Sequence, residues 1–463
     1  MNALALLDTG WLRLAAAAAV LLSYAALCAL VYRAERAKRL RAEHDAAVLS
    51  PPAHGATPVL VAFASQTGFA EQLAWQSARL LHTAGVPVKV VPLGALTLDE
   101  LTRTEHALFI VSTYGEGDAP DNGARFAQQV MVADAKLPQL HHAVLALGDS
   151  SYAHFCGFGR RLDAWLQARG AAALFERIEL DNEAAAALTA WQHQVSRLAA
   201  TTDLPDWQAP AFDDWQLVER RVLNAGSVGA PVCHLTLAPA TGTLPAWEAG
   251  DLVQVRAPGD PARPREYTIA SLPADGRVHL LVRQERHADG SLGCASGWLT
   301  AQVSIGEPVW LRLRPHSSFR IGDNAARPLV LIGNGTGFAG MRSHLKARAA
   351  MAQRPPVWLL FGERQSAHDR YFGDEIDGWL AQGVLAHADL VFSRDQAERI
   401  YVQHRLLERA QRLREWVAEG AAIYVCGSLD GMAAGVDAAL AHVLGAHELA
   451  LLCDAGRYRR DVY

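Results

Sequence analysis

Three short runs, at residues 57–63, 107–111 and 143–147, are apolar at nearly every position, and each passes straight into a loop of Ser, Thr, Gly and Tyr. A strand apolar on both faces belongs to a parallel sheet covered by helices on each side. Helical patterns fill the intervals, so 57–200 reads as a doubly wound α/β domain. Ligands of such sheets gather at the carboxyl ends of the strands, and the three loops are therefore predicted to converge. The first, Ser65-Gln66-Thr67-Gly68-Phe69-Ala70, opens a helix whose unpaired amides, with two hydroxyls, suit a phosphate. No Walker lysine follows, which argues against a nucleoside triphosphate; the plainer alternative is an ordinary capped helix start. The second loop is Ser112-Thr113-Tyr114-Gly115. The third runs from Leu147, Gly148 and Asp149 through Tyr152 to Phe155 and Cys156. Tyr114 and Tyr152 supply two aromatic faces between which a flat ring fits.

Beyond residue 200 the pattern changes twice. Residues 201–214 have the composition of a linker, and from 215 to about 321 short alternating strands with Gly/Pro turns predict a small β-barrel. From 327, apolar strands at 329–332, 357–361 and 422–425 again alternate with helices. Within the barrel region lies Arg265-Glu266-Tyr267-Thr268-Ile269-Ala270-Ser271, where strand alternation puts Arg265 and Tyr267 on one face. A fixed cation beside an aromatic suits a ligand with a phosphate at one end and a ring at the other. A half-buried barrel strand carrying a surface arginine is the alternative. Gly293-Cys294-Ala295-Ser296 offers further amides to a dianion, and Gly333-Asn334-Gly335-Thr336-Gly337 follows a strand and opens a helix. Near Tyr401 and Gln403, the side chains of Ser393, Arg394 and Arg399 can satisfy a phosphate dianion; a solvated helix start is the alternative there.

Composition narrows the class. A chain of 463 residues has room for about three domains, and 51% hydrophobic against 20% charged residues indicates ordered globular structure. The net charge of −5 argues against a nucleic-acid binder. The cysteines at 28, 156, 233, 294, 426 and 453 form no C-x-x-C and no metal-type spacing, as expected in a reducing compartment. Residues 14–32 are nineteen in a row without a charge, enough for a helix of roughly 28 Å, close to the apolar thickness of a bilayer. Trp11 and Tyr32 flank this stretch, and Arg33, Arg36, Lys38, Arg39 and Arg41 follow it. A single-pass anchor with its C-terminal side in the cytoplasm is predicted; a cleaved signal peptide would carry its positive charge in front.

The three loops together resemble the flavodoxin-like FMN domain of diflavin reductases. The heptad resembles the Arg-x-Tyr-Ser/Thr-x-x-Ser motif of ferredoxin-reductase-type FAD domains, with Thr268 where serine is more usual. Over about 57–463 the chain resembles bacterial NADPH-dependent diflavin reductases, the family of sulfite reductase flavoproteins and NADPH–haemoprotein reductases, in a short form. That resemblance implies an anchor at 1–32, a tether at 33–56 and a flavodoxin-like FMN domain at 57–200. After the linker at 201–214 it implies an FAD-binding β-barrel at 215–325 and an α/β NADPH-binding domain at 326–463. It implies FMN held by Ser65, Gln66, Thr67, Gly68, Phe69 and Ala70 around the phosphate. Ser112, Thr113, Tyr114 and Gly115 would enclose the ring together with Leu147, Gly148, Asp149, Tyr152, Phe155 and Cys156. FAD would be held by Arg265, Glu266, Tyr267, Thr268, Ser271, Gly293, Cys294, Ala295, Ser296 and Tyr463. NADPH would be held by Gly335, Thr336, Ser393, Arg394, Arg399, Tyr401 and Gln403, with Thr268, Cys426 and Asp461 in catalytic roles.

Several positions depart from that family. Asn334 and Gly340 stand in place of two prolines, Ser428 and Gly435 in place of aspartates, and Arg399 in place of lysine. Only nine residues separate Val255 from Arg265, where longer relatives insert a helical connecting domain. The expectation is an inner-membrane NADPH-dependent oxidoreductase facing the cytoplasm, passing electrons through FAD and FMN to a haem or iron–sulfur acceptor protein. Residues 57–200 carry fourteen acidic and ten basic residues, which suits a basic face on that acceptor. The flavoprotein subunit of a sulfite reductase is one alternative, and a flavin-binding redox sensor or scaffold is another of a different class.

Overall fold

The computed structural model describes residues 57–199 and 211–463 apart from 116, 183 and 262. The expected anchor, the tether and most of the linker lie outside the described residues. Among the described residues, no single helix is long and apolar enough to cross a membrane.

The first apolar run forms β1 (Val59–Ala64), and the chain then lays down β2 (Val88–Pro92), β3 (His106–Ser112), β4 (His141–Gly148), β5 (Ala172–Ala173) and β6 (Ile178–Asp181). All pairings are parallel, in the order β2-β1-β3-β4, with β5 and β6 both pairing β4. This is the flavodoxin-like order, which reverses direction between β1 and β3. Alternate residues of these strands feed two separate cores. Val61, Leu108 and Leu145 pack under one helical layer, and Ala62, Phe109 and Val144 under the other. Burial on both sides is why the runs read as continuously apolar.

The barrel consists of β7 (Asp213–Val222), β8 (Val232–Pro239), β9 (Leu252–Arg256), β10 (Arg265–Thr268), β11 (Val278–Arg283) and β12 (Pro308–Arg314), all antiparallel. The order is β10-β9-β12-β7-β8-β11, and an Ile269–Leu280 bridge closes the ends. Closure removes the sheet edges. β7 begins two residues inside the segment expected to be linker, because Asp213 and Asp214 pair with Leu311 and Trp310.

The last sheet, β13 (Leu329–Asn334), β14 (Val357–Glu363), β15 (Leu385–Phe392), β16 (Ala422–Gly427) and β17 (Tyr458–Val462), is again wholly parallel. Its order β15-β14-β13-β16-β17 is that of a dinucleotide-binding sheet, with the reversal between β13 and β16. The barrel and this domain share one apolar core, in which Val232, Ala270, Leu281 and Phe319 pack with Leu331, Phe338 and Tyr424. A shared core makes the two a single unit. The flavodoxin-like domain meets that unit mainly through polar groups. His316 Nε2 lies 3.0 Å from the Gln66 carbonyl oxygen, Ser318 donates to the same oxygen at 2.5 Å, and Ser317 donates to Glu71 at 3.0 Å.

Candidate functional site

The first switch point carries the phosphate-type loop. Gly68 sits in the left-handed region at φ 87°, and the helix Phe69–Thr83 that it starts has no side-chain cap. Ser65 Oγ accepts from Ala70 N at 3.2 Å and Ser112 Oγ from Gln66 N at 3.3 Å, which shapes the turn around its remaining amides. A helix start of this shape fits a phosphate. The three loops do converge. Ser65, Gln66, Thr67, Phe69, Ser112, Thr113, Tyr114, Gly115, Leu147, Gly148, Asp149, Tyr152, Phe155 and Cys156 line one cavity of about 390 Å³. Gly68 and Ala70 lie behind it in the turn. His154 of the third loop lines it too, and so does Asn182, which was not anticipated. Asn182 follows β6, whose four residues are too short and too little buried to register as an apolar run. Tyr114 has a buried hydroxyl with no hydrogen-bond partner, and Tyr152 is 44% exposed.

A second cavity of about 950 Å³ opens between the barrel and the last sheet, within the size range of cofactor sites. Arg265, Glu266, Tyr267 and Thr268 of β10 line it with Gly293, Cys294, Ala295 and Ser296. Gly293 starts the helix Cys294–Gly297 with no side-chain cap, and Ser296 Oγ braces the turn by accepting from Glu285 N at 3.2 Å. From the last sheet come Gly335, Thr336, Ser393, Arg394, Tyr401 and Gln403. Arg394 is exposed at the rim, and its N–H donates to the Arg364 carbonyl at 2.7 Å. Arg399 is exposed and outside the lining. Ser271 is also absent from it. It is fully buried, donates to the Arg277 carbonyl at 2.8 Å and accepts from His279 N at 3.0 Å. Its hydroxyl closes a barrel turn behind the cavity wall.

At the junction of the two cavities stands a hydrogen-bonded set. Thr268 Oγ donates to Asp461 Oδ2 at 2.6 Å, and Cys426 Sγ donates to the same oxygen at 3.5 Å. Cys426 is fully buried and lines neither cavity, and its side chain meets the site at Asp461. Burial first, and then the Asp461 carboxylate, push its thiol well above the usual range and keep it protonated. Tyr463 lines both cavities and is half exposed, yet it is tied down. Its N–H donates to the Gly427 carbonyl at 3.1 Å, its carbonyl accepts from Leu429 N at 2.9 Å, and its hydroxyl donates to Thr336 at 3.1 Å. Asp149, Tyr152, Arg265, Glu266 and Thr268 line both cavities as well, so the two spaces abut.

The departures noted in the sequence have local reasons. Asn334 Oδ1 accepts from Ser428 N at 3.0 Å, so two of the unexpected residues meet each other across the switch point. A side chain at Gly340 would meet Phe319 at 2.8 Å and Thr268 at 3.3 Å, and glycine lets the barrel close against the helix Phe338–Ala349 that carries it. At Gly435 the space is taken by Gln403, whose Nε2 would lie 2.9 Å from an added Cβ. Arg283, missed from sequence, lines the larger cavity and pairs with buried Glu363, which also accepts from Tyr371 at 2.9 Å.

Comparison with known proteins agrees with this geometry. The flavodoxin family matches residues 61–191, and the oxidoreductase NAD-binding domain family matches 331–438. The chain is 29% identical over 534 aligned positions to the sulfite reductase [NADPH] flavoprotein alpha-component of Vibrio cholerae serotype O1, covering 87% of each chain. Against the proteins of that name from Aliivibrio fischeri and Neisseria meningitidis serogroup C, identity is 27% and 28%, covering 90% and 88% of this chain and 91% and 89% of theirs. An alignment of 534 positions exceeds the whole 463-residue chain, so the relative carries a segment that this chain lacks. The turn and helix start over the smaller cavity and the size and two-sided lining of the larger one fit FMN, FAD and NADPH, the cofactors that go with these domains. With a flavodoxin-like domain joined to a barrel and a dinucleotide-binding domain, the chain has the domain set of the NADPH-dependent diflavin reductases and is similar to their sulfite reductase flavoproteins along most of its length.

Proposed function

We propose that this chain is a membrane-anchored diflavin oxidoreductase that passes electrons from NADPH through FAD and FMN to a separate one-electron acceptor protein carrying haem or an iron–sulfur cluster. The observation that supports this most is the abutment of the two cavities, which share Asp149, Tyr152, Arg265, Glu266, Thr268 and Tyr463. When bound, the two flavins supply the step from two-electron to one-electron chemistry that oxidation of NADPH by such an acceptor requires. The chain's own residues bind, orient and screen. Thr268 and Cys426 both donate into Asp461 Oδ2, which fixes that carboxylate at the junction and keeps two protons beside it. Ser393 and Arg394 supply a donor and a cation at the far end of the larger cavity, suited to a 2′-phosphate that NADH lacks. Tyr463 covers the site near Thr336 and excludes water while it is in place.

The apolar stretch at 14–32 and the five basic residues after it support an inner-membrane anchor that leaves the catalytic domains in the cytoplasm. The acidic balance of 57–200 supports an acceptor with a basic docking face. The names of the relatives favour a second reading, the flavoprotein subunit of a sulfite reductase. A redox sensor or scaffold would hold the same cofactors without sustained turnover. Steady NADPH-driven reduction of cytochrome c by the detergent-solubilised chain is expected; a single turnover that then stops would favour the sensor. Loss of sulfide production on deletion of the gene would favour the second reading. Haem or iron–sulfur proteins that co-purify with the membrane form would identify the acceptor.

A further inference from the structure

The strand that carries Asp461 also grips the flavodoxin-like domain. Alternate residues of a strand face opposite ways, and in β17 Asp461 faces the cavity while Arg460 faces the other domain. The Arg460 guanidinium, 18% exposed, pairs with Asp121 of the flavodoxin-like domain through Nη2 and through Nε at 3.2 Å. Its Nη1 donates to Asp437 of the dinucleotide-binding domain at 2.5 Å. The same cation lies 5.5 Å from the centre of the Tyr114 ring, in the second loop of the smaller cavity. The backbone joins in: Gln66 Nε2 donates to the Arg460 carbonyl at 3.2 Å, while Gln66 Oε1 accepts from Asp121 N at 3.3 Å. Arg460 thus reaches carboxylates on both sides of a mostly polar interface, one residue away from the hydrogen-bonded set at the cavity junction.

We propose that Arg460 is a positioning residue that clamps the flavodoxin-like domain onto the dinucleotide-binding half through Asp121 and Asp437, and so sets the spacing of the two ring sites. This rests on the two-flavin reading of the cavities. The clamp is suited to release. When the domain leaves, Asp121 returns to water while Asp437 still neutralises the arginine, so neither side is left with a buried unpaired charge. The barrel and the last sheet share an apolar core and cannot part in this way. With no connecting domain, this charge pair does work that a longer chain can assign to a separate element.

The test uses the full chain with its cofactors, in the variants Arg460→Gln, Asp121→Asn and their double. Small-angle scattering reads the separation of the domains, and rapid-mixing spectroscopy reads electron equilibration between the flavins. Each single variant is expected to shift the closed-to-open ratio towards open by at least about tenfold, the scale of one charge-assisted hydrogen bond. The double variant should be no more open than the more open single, because both remove the same contact. Arg460→Lys should restore part of the closed population, whereas a merely structural arginine would show its loss in thermal melting and FAD content. An unchanged scattering profile for Asp121→Asn, or additive effects in the double, overturns the proposal. Scattering reads the clamp whether or not FMN is held. Absence of FMN would therefore count against the two-flavin reading alone, and unchanged scattering with FMN present against the clamp alone.

Discussion

Arg394 and Tyr463 both line the larger cavity, and the role proposed for each side chain makes a prediction at that scale. Arg394 stands at the rim of the larger cavity with its backbone pinned to Arg364, so truncation removes the cation without disturbing the turn. A charge-assisted bond is worth about 1.5–3 kcal/mol, so Arg394→Ala is expected to raise KM for NADPH at least about tenfold and leave NADH use nearly unchanged. An equal loss with both coenzymes, measured by steady-state kinetics, would assign Arg394 to the fold. Tyr463 is held by two backbone bonds, which makes it a placed residue and not a frayed end. A stack of its ring on a flavin would be worth on the order of 1 kcal/mol, enough to bias occupancy of the site without locking it. Tyr463→Ala should raise NADH-dependent relative to NADPH-dependent turnover. An unaltered ratio, with an unaltered flavin spectrum, would remove Tyr463 from the cofactor site. Ser271 gives the contrary lesson. Its motif position suggests a ligand, but in three dimensions its hydroxyl is already engaged twice by the barrel.

The element that defines the smaller cavity is the helix Phe69–Thr83 with the turn before it. Its sequence signal was clear because an apolar strand, a Ser/Thr turn and a helix follow one another without a break, and only a few amides can face the opening. Thr67→Ala or Tyr114→Ala is expected to deplete FMN while FAD remains, as measured by chromatography of the released flavins. Equal loss of both would show that the helix start supports the whole fold. A short element was harder to see: β6 has four residues, so Asn182 at its end was not assigned to the site. Periodicity needs length to stand out, and four residues do not supply it.

At the scale of the molecule, His234 and His344, both buried, and half-buried His279 lie in the barrel and its seam with the last domain. His234 and His279 meet edge to face at 4.9 Å, and His344 is enclosed by Phe319 and Tyr424. Burial, then neighbouring positive groups, lower them to about 3, about 4 and about 3 respectively. Each is neutral when folded and takes up a proton when unfolded, so stability is full above about pH 6.5 and falls as pH drops towards 4. Each histidine contributes a slope of about 1.4 kcal/mol per pH unit in that window. Thermal melting from pH 7 to 5 should therefore show a falling Tm, and His344→Gln should flatten the fall. A Tm independent of pH across this range would mean that the seam admits water or breathes. The proposed anchor is tested separately: if residues 14–32 span the membrane with the basic residues 33–41 on the inner side, a cytoplasmic reporter fused after Tyr463 should be active. Protease sensitivity of the C-terminus from the outer face would separate the enzyme from its supply of NADPH.

The sequence by itself determined the two parallel sheets, the barrel between them and the loops around each cavity. Those features are local: an apolar run, a turn and a helix start are written in consecutive residues, and the strand-end rule then says where they point. Tertiary structure decided what lies side by side across hundreds of positions. It brought Thr268 and Cys426 to one oxygen of Asp461, Asn334 to Ser428, and Gln403 over Gly435. It also set Arg460 between Asp121 and Asp437. A hydrogen bond or a charge pair has no period, and the partners of Asp461 stand 193 and 35 residues away along the chain. Only the packing of one domain against another settles which polar groups meet.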